Sequence, residues 1–279
     1  MALNLQPLNA AELLDRTFSL YRKHFPLFVG IVTIPMLVYF LGRIVFVGIQ
    51  SSSPADAVLT KVFITVTGGL ILIVIQLFAS LLAQGATTAA VSDVYLEQPS
   101  DIGKAYARLR GNLLNILFAM IFMGFVIGFG FLLLIVPGVI FMAAFALTIP
   151  ATVIEKLTPV DAMRRSWELT KEGRWRVLIV LIIAAVLANI IALIFQVPGL
   201  IMAGFSAYRD PSTIPVLPRI VMETGSFIAL CLVTPLGTIA SSLLYYDQRV
   251  RKEGFDLQFM ISSLESKEKG EEAPHQGIF

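Results

Sequence analysis

Six long apolar stretches constrain this chain more than any other feature of its sequence. A helix needs about 20 apolar residues to cross the roughly 30 Å hydrocarbon layer of a bilayer. Stretches of suitable length lie at residues 26–48, 62–91, 112–136, 138–155, 175–197 and 220–246. Charged residues make up only 14% of the chain, against roughly 25% in soluble domains, so lipid is the expected surrounding. The sequence therefore predicts an all-α integral membrane protein with six transmembrane helices.

The distribution of lysine and arginine predicts the orientation of the chain. Of 21 such residues, 17 lie in the N-terminal segment, the second and fourth connections and the C-terminal segment. Four lie towards the other side. Cytoplasmic loops carry an excess of lysine and arginine. Both termini are therefore predicted to be cytoplasmic.

Three short amphipathic segments precede the odd-numbered stretches. The clearest begins with Thr158, a good helix cap, followed by Pro159 at the first helical position. Asn9 and Glu12 form the same kind of cap in the first segment, and Ser100 is the predicted cap of the second. Apolar and charged residues take opposite faces, as in helices that lie in the headgroup layer.

These segments predict an internal repeat of three units, each an interfacial helix followed by a transmembrane hairpin. The even-numbered stretches end alike, on the acidic residues Glu97, Glu155 and Asp247. Val-Pro-Gly occurs at 136–138 and again at 197–199. Proline breaks a helix and glycine permits a tight reversal, so both sequences are predicted turns.

Three segments resemble a known family. They lie at residues 8–25, 158–175 and 243–257. Together they resemble the membrane domain associated with glycerophosphoryl diester phosphodiesterases and its stand-alone bacterial relatives. The resemblance covers nearly the whole chain. It implies a six-helix domain of the bacterial plasma (inner) membrane, with lipid-headgroup metabolism as its context.

In that family the hydrolase is a separate soluble domain fused to the membrane domain. Only 22 residues follow Leu257 in this sequence, so the resemblance implies no phosphodiesterase activity for it. The expected division is a six-span membrane domain at 1–257 and a cytoplasmic tail at 258–279. The tail is rich in lysine, glutamate and glycine, a composition typical of disorder.

No catalytic or cofactor-binding motif is recognisable in the sequence. It contains no G-x-S-x-G, Walker A or H-E-x-x-H sequence, and His24 and His275 are far apart. Asp93, Glu97 and Asp101 have helical spacing, but an intervening proline interrupts it. We therefore expect no metal, no cofactor and no nucleic-acid partner, and the sequence disfavours an enzyme.

One cluster of charges is predicted where the surface segments meet the ends of the even-numbered stretches. It comprises Arg164, Arg165, Glu97, Glu155 and Asp247. Arginine presents a planar fork of donors that suits phosphate, so one interpretation is a site for an anionic lipid headgroup. The other is a set of salt bridges that holds the hairpins together. The sequence leaves both open.

Polar residues within the apolar stretches are candidates for lining a pathway. They are Gln76, Asn189, Thr148 and Thr234. Such side chains also serve as hydrogen-bond links between membrane helices. No stretch has a charged residue at its centre, which disfavours an ion-coupled pump.

The sequence thus favours a non-catalytic membrane scaffold or partner-binding module. The expected partners are the lipid bilayer, anionic lipid headgroups and a soluble enzyme. The alternative is a transporter of small molecules or lipids, or another lipid-handling membrane protein.

Overall fold

The computed structural model describes residues 8–52, 58–209 and 216–254. These residues form ten helices and no strand. The helices are α1 (Ala10–Lys23), α2 (Phe25–Ser52), α3 (Val58–Tyr95), α4 (Ile102–Ala107), α5 (Leu113–Leu133), α6 (Ile135–Phe145), α7 (Thr148–Ile154), α8 (Pro159–Thr170), α9 (Arg174–Arg209) and α10 (Val216–Glu253). The predicted tail at 258–279, and the domain boundary before it, lie outside the described residues.

The predicted count of six membrane-spanning helices is confirmed within the described residues. The helices that are long and apolar enough are Phe25–Ser52, Val58–Tyr95, Leu113–Leu133, Ile135–Ile154, Arg174–Ser206 and Val216–Glu253. Large apolar side chains such as Phe125 and Leu132 are exposed on their outer surfaces. Apolar surface of this extent marks a membrane-facing protein.

The third and fourth spans reverse direction at a single extended residue. Leu134, with φ −163° and ψ 156°, ends α5 and caps α6. Pro137 follows in the first turn of α6, where backbone N–H groups have no helical partner and a missing one is tolerated. A Cβ on Gly138 would overlap the ring of Phe131. The reversal thus lies just before the first Val-Pro-Gly sequence, and the glycine permits close packing of the hairpin.

The second Val-Pro-Gly sequence does not form a turn, so that prediction is wrong. α9 continues through Pro198 without a break. A Cβ on Gly199 would overlap Met222, and a Cβ on Gly225 would overlap the backbone oxygen of Phe195. The fifth and sixth spans therefore pack backbone against backbone here. Proline within a membrane helix is tolerated where neighbouring helices surround it.

The short segments ahead of the odd-numbered spans form helices α1, α4 and α8. Asn9 and Glu12 make both hydrogen bonds of a capping box, at 2.7 and 2.8 Å. Thr158 caps α8 as predicted. α4 is capped by Asp101 and not by Ser100, because the Asp101 carboxylate accepts a backbone N–H three residues on, at 2.9 Å. The lie of these helices in the headgroup layer and the threefold repeat remain predictions.

The fourth span is interrupted between α6 and α7. Ser166 of α8 hydrogen-bonds to the interruption, since its Oγ donates to the Ala144 carbonyl at 2.7 Å and accepts from the Leu147 N–H at 3.1 Å. Thr170 donates to the same carbonyl at 3.2 Å. An unpaired backbone group in the membrane is costly, so these bonds stabilise the interruption and tie α8 to it.

Two tyrosines of α10 form the centre of the core at one end of the bundle. Tyr245 and Tyr246 are 0% and 1% exposed. Tyr246 donates to the Ser92 hydroxyl at 2.8 Å, and Tyr245 donates to Glu155. These contacts join the ends of the second, fourth and sixth spans. We call this end, where Glu155 and Asp247 lie, the charged end.

Candidate functional site at the charged end

Glu155 is the centre of the first of two ion-pair clusters at the charged end. It caps the C-terminus of α7. Its Oε1 accepts a hydrogen bond from Arg165 at 3.1 Å and lies 3.7 Å from Nε of Arg249. The hydroxyl of Tyr245 donates to the same oxygen. One carboxylate thus links α7, α8 and α10.

Glu253 completes this cluster as a ring of two acids and two arginines. It accepts from Arg165 at 2.8 Å and from Arg249 at 3.2 Å. The four side chains are between 16% and 25% exposed. Burial disfavours the charged form of Arg165, but its hydrogen bonds to Glu253 and Glu155 outweigh burial and raise its pKa. Arg165 therefore stays charged.

Asp247 is the centre of the second cluster, and its side chain is only 1% exposed. Its carboxylate lies 2.9 Å from Arg176 and 3.1 Å from Arg251. The backbone N–H of Leu8 donates to it at 2.8 Å. The Leu8 carbonyl in turn accepts from Arg251 at 2.7 Å and from Arg176. The chain ahead of α1 is thus clamped between α9 and α10.

In both clusters the carboxylates are paired with groups of the protein itself. The oxygens of Glu155 and Asp247 face arginines, a tyrosine hydroxyl or a backbone N–H, and not an open cleft. Removing one member of such a pair leaves a buried charge without compensation. Within the described ranges, no group of three or more His, Cys, Asp or Glu residues is placed to hold a metal ion. The geometry favours the salt-bridge interpretation for Arg165 over a headgroup site.

The sequence model of a known family matches more than half of the chain. This model, described as the membrane domain of glycerophosphoryl diester phosphodiesterase, matches residues 114–273. The chain belongs to this family. The match covers nearly all of α5 and the whole of α6 to α10, and with them every side chain of the two clusters. The comparisons with curated proteins and with solved structures gave no match.

Glu97 lies outside both clusters. It is exposed and has φ 57°, just after the end of α3. Many helices end in this left-handed conformation. Asp93, one turn earlier, makes the ion pair instead, and it accepts from Arg108. The last acid of a span is therefore not necessarily the one that pairs.

Arg164 is also separate from the clusters of the membrane domain, although it adjoins Arg165. Its side chain is 78% exposed and pairs with Glu168 on the same helix at 3.1 Å. Successive residues of a helix point about 100° apart. Only one of two adjacent arginines can therefore face the ring.

The four intramembrane polar residues are not brought together. Gln76 and Asn189 hydrogen-bond within their own helices, at 3.3 and 2.7 Å. Thr148 is buried at the start of α7, and its hydroxyl has no partner among the described residues. Thr234 is the one member of the four that lines a cavity of about 450 Å³ between the spans.

Several members of the clusters were not singled out from the sequence. The predicted cluster does not include Glu253, and it includes Arg249, Arg251 and Arg176 only as part of the positive charge on this side. The spacing of four between Asp247 and Arg251 is a readable helical signal, as is that between Arg249 and Glu253. The bonds to Leu8 involve main-chain atoms and have no sequence signature.

Proposed function

We propose that this protein is a non-catalytic scaffold of the bacterial plasma membrane that holds a soluble enzyme of lipid-headgroup metabolism. In this proposal the charged end and both termini face the cytoplasm, because lysine and arginine concentrate on that side. The family description supports the kind of partner, since it names the membrane domain of a phosphodiesterase.

One observation carries the proposal: the two clusters join the segment ahead of α1 with α7, α8, α9 and α10 at the charged end. Glu155 and Glu253 fix α8 against α10 through Arg165. Asp247 fixes the start of α9 and the chain ahead of α1. Sites on mutually supported helices are held more accurately than sites on loops. Helices held together in this way offer a fixed surface on which a soluble enzyme can bind.

The exposed faces of α1 and α8 supply the docking surface in this proposal. Their exposed side chains carry charges of both signs. The charged members on the two helices are Glu12, Asp15, Arg22, Lys23, Asp161, Arg164 and Glu168, and Lys171 and Glu172 follow directly after α8. A mixed-charge surface suits a soluble polar partner, because complementary charges set orientation and exclude wrong partners.

The test is whether a glycerophosphodiester-hydrolysing activity co-purifies with the protein. The full chain is purified from its own host, and release of glycerol phosphate from glycerophosphocholine is measured. Activity should be retained by the wild type and fall roughly tenfold when Arg164→Glu and Lys171→Glu are combined, because rim charges steer association. Lys61→Glu, on α3 away from the charged end, is the control. Equal activity in all three preparations, or none in any, would contradict the proposal.

A second candidate, lipid handling, is favoured by Arg174 at the start of α9. Its guanidinium lies 4.0 Å from the Trp167 ring centre, and its buried Nε has no hydrogen-bond partner among the described residues. The residue also lines an apolar cavity of about 210 Å³ between α6 and α9. An arginine donor beside an apolar groove suits the phosphate and acyl chain of an anionic lipid.

Binding of dioleoyl-phosphatidylglycerol, followed by native mass spectrometry, tests this candidate. Arg174→Gln should weaken retention roughly tenfold, since a charge-assisted hydrogen bond is lost. Arg164→Gln is the matched control, because that arginine is exposed and pairs only on its own helix. Equal retention by both variants would remove the Arg174 site.

A further inference from the structure

One cavity lies between five of the membrane spans. It has a volume of about 450 Å³ and is lined by residues of α3, α5, α6, α7, α9 and α10, and by Ala146 between α6 and α7. Its apolar lining includes Met123 and Ile127 of α5 and Leu181 and Ala188 of α9. The volume falls within the range of pockets that hold small ligands. None of the residues that line the cavity is charged.

The polar residues that line this cavity all belong to α3 and α10. They are Gln84, Thr88, Thr234, Thr238 and Ser241. Thr88 is 0% exposed, and its hydroxyl has no hydrogen-bond partner within the described parts of the chain. An unpaired hydroxyl in the membrane interior is costly, and a ligand with an acceptor would satisfy it.

The cavity lies within the apolar layer and reaches the lipid-facing surface. Counted along α3, α9 and α10, its lining residues are about 8 to 20 Å from the charged end, at 1.5 Å per residue. Ile182 and Ala185 line both the cavity and the outer surface of α9. Neither is fully buried. A lipid therefore has lateral access from the bilayer.

We propose that the cavity binds one molecule of an uncharged glycerolipid, of the diacylglycerol class. An acyl chain contacts the apolar lining, and an ester carbonyl accepts a hydrogen bond from Thr88. A charged headgroup is disfavoured, because no lining residue supplies a counter-charge and burying an unpaired charge is very costly. The site shares no residue with the groove beside Arg174, and it does not depend on the scaffold role.

Filling the cavity is the first test. Gly237 lines the cavity, and a Cβ there would have no atom within 4 Å, so Gly237→Leu is chosen to add apolar volume at the cavity wall. Gly204 is equally open but lies outside the cavity, so Gly204→Leu is the matched control. The protein is reconstituted in phosphatidylcholine vesicles containing a photoreactive dioleoylglycerol, and adducts are mapped by mass spectrometry. Adducts on α5 and α9 lining residues should fall roughly tenfold in Gly237→Leu only, as overpacking of a filled site predicts.

Removing the unpaired hydroxyl is the second test. Thr88→Val should reduce labelling about fivefold, the size expected for one net hydrogen bond. Thr87→Val is the control, because its hydroxyl is likewise buried and unpaired but does not line the cavity. Labelling that is absent in the wild type, unchanged in both cavity variants, or stronger with a photoreactive phosphatidylcholine would overturn the proposal.

Discussion

At the charged end, Glu155 and Asp247 each meet two arginines that come from different helices, whereas at the opposite end Glu223 meets the single arginine Arg43. The first arrangement joins the segment before α1 to α7, α8, α9 and α10. The second joins only the first and sixth spans.

The two ends are therefore stabilised by different interactions, buried ion pairs at the charged end and close helix packing at the opposite end. Loss of Asp247 leaves Arg176 and Arg251 without their buried carboxylate, whereas loss of Glu223 affects Arg43, which is about a third exposed. Close packing takes over at the opposite end, where Gly199 and Gly225 bring the fifth and sixth spans together. Five substitutions test this contrast.

The largest effect is expected for Asp247→Ala. It leaves Arg176, Arg251 and the Leu8 N–H without their buried acceptor, and should lower the free energy of unfolding by about 3 to 5 kcal/mol. Equilibrium unfolding in mixed detergent micelles measures it. Glu172→Ala, whose side chain is 82% exposed, should change stability by less than about 0.5 kcal/mol. Similar values for the two would show that the cluster is not a stabilising centre.

Gly225→Ala should have the next largest effect. The added methyl group would overlap the backbone oxygen of Phe195, and backbone atoms cannot rotate away. A loss of about 1 to 3 kcal/mol is expected from overpacking, in the same unfolding assay. Gly204→Ala, where nothing lies within 4 Å, controls for the loss of glycine itself. The packing argument fails if both variants unfold alike.

Glu223→Gln should cost about 1 kcal/mol, less than the change at Asp247. Arg43 loses a two-point pair, but a third of its side chain is exposed and retains access to its surroundings. Comparing this variant with Asp247→Asn separates the two ends by the same chemical change. A cost at Glu223 equal to that at Asp247 would remove the contrast.

Tyr21 tests how α1 is fastened away from the charged end. Its hydroxyl donates to the Leu232 carbonyl at 3.0 Å, and burial, with a smaller effect of Cys231, raises its pKa to about 12. A raised folded-state pKa means that its contribution is complete below pH 10 and is lost as the pH rises towards 12. Tyr21→Phe should therefore lose less stability than the wild type over that interval. An identical alkaline slope would contradict this.

The smallest effect is expected at Arg164. Arg164→Ala should change stability by about 0 to 0.5 kcal/mol, because its pair with Glu168 is exposed. Arg165→Ala, one residue on, should cost several times more, since it leaves Glu155 and Glu253 short of a partner. Equal effects would mean that the ring is not the centre of the cluster.

The parts of the fold that follow from local or compositional patterns were predictable. Apolar length predicts six spans, and cap chemistry predicts the starts of α1 at Asn9 and of α8 at Thr158. The continuation of α9 through Pro198 was not predictable, because it depends on glycines of two helices meeting. Pro150 cannot donate a hydrogen bond to the Ala146 carbonyl four residues earlier, which is a local signal for the interruption of the fourth span. Its partner Ser166 lies in another helix and was not predictable.

The candidate site was predictable in kind but not in membership. The end residues Glu155 and Asp247 and the partner Arg165 were identified, because basic surface segments follow acidic span ends. The prediction also includes Glu97 and Arg164, because Glu97 ends an even-numbered span and Arg164 adjoins Arg165. Glu97 lies outside the clusters at a left-handed backbone position, and Arg164 lies outside them because its side chain points away from the ring. Neither property can be read from the spacing of residues in the sequence.

The clamp on Leu8 has a consequence for biosynthesis. Its partners Asp247 and Arg251 are made some 240 residues later, as the last span leaves the ribosome. The contacts of Leu8 with Asp247 and Arg251 can therefore form only after the first five spans have been synthesised. Final closure of the bundle is a late event that joins the oldest part of the nascent chain to the newest.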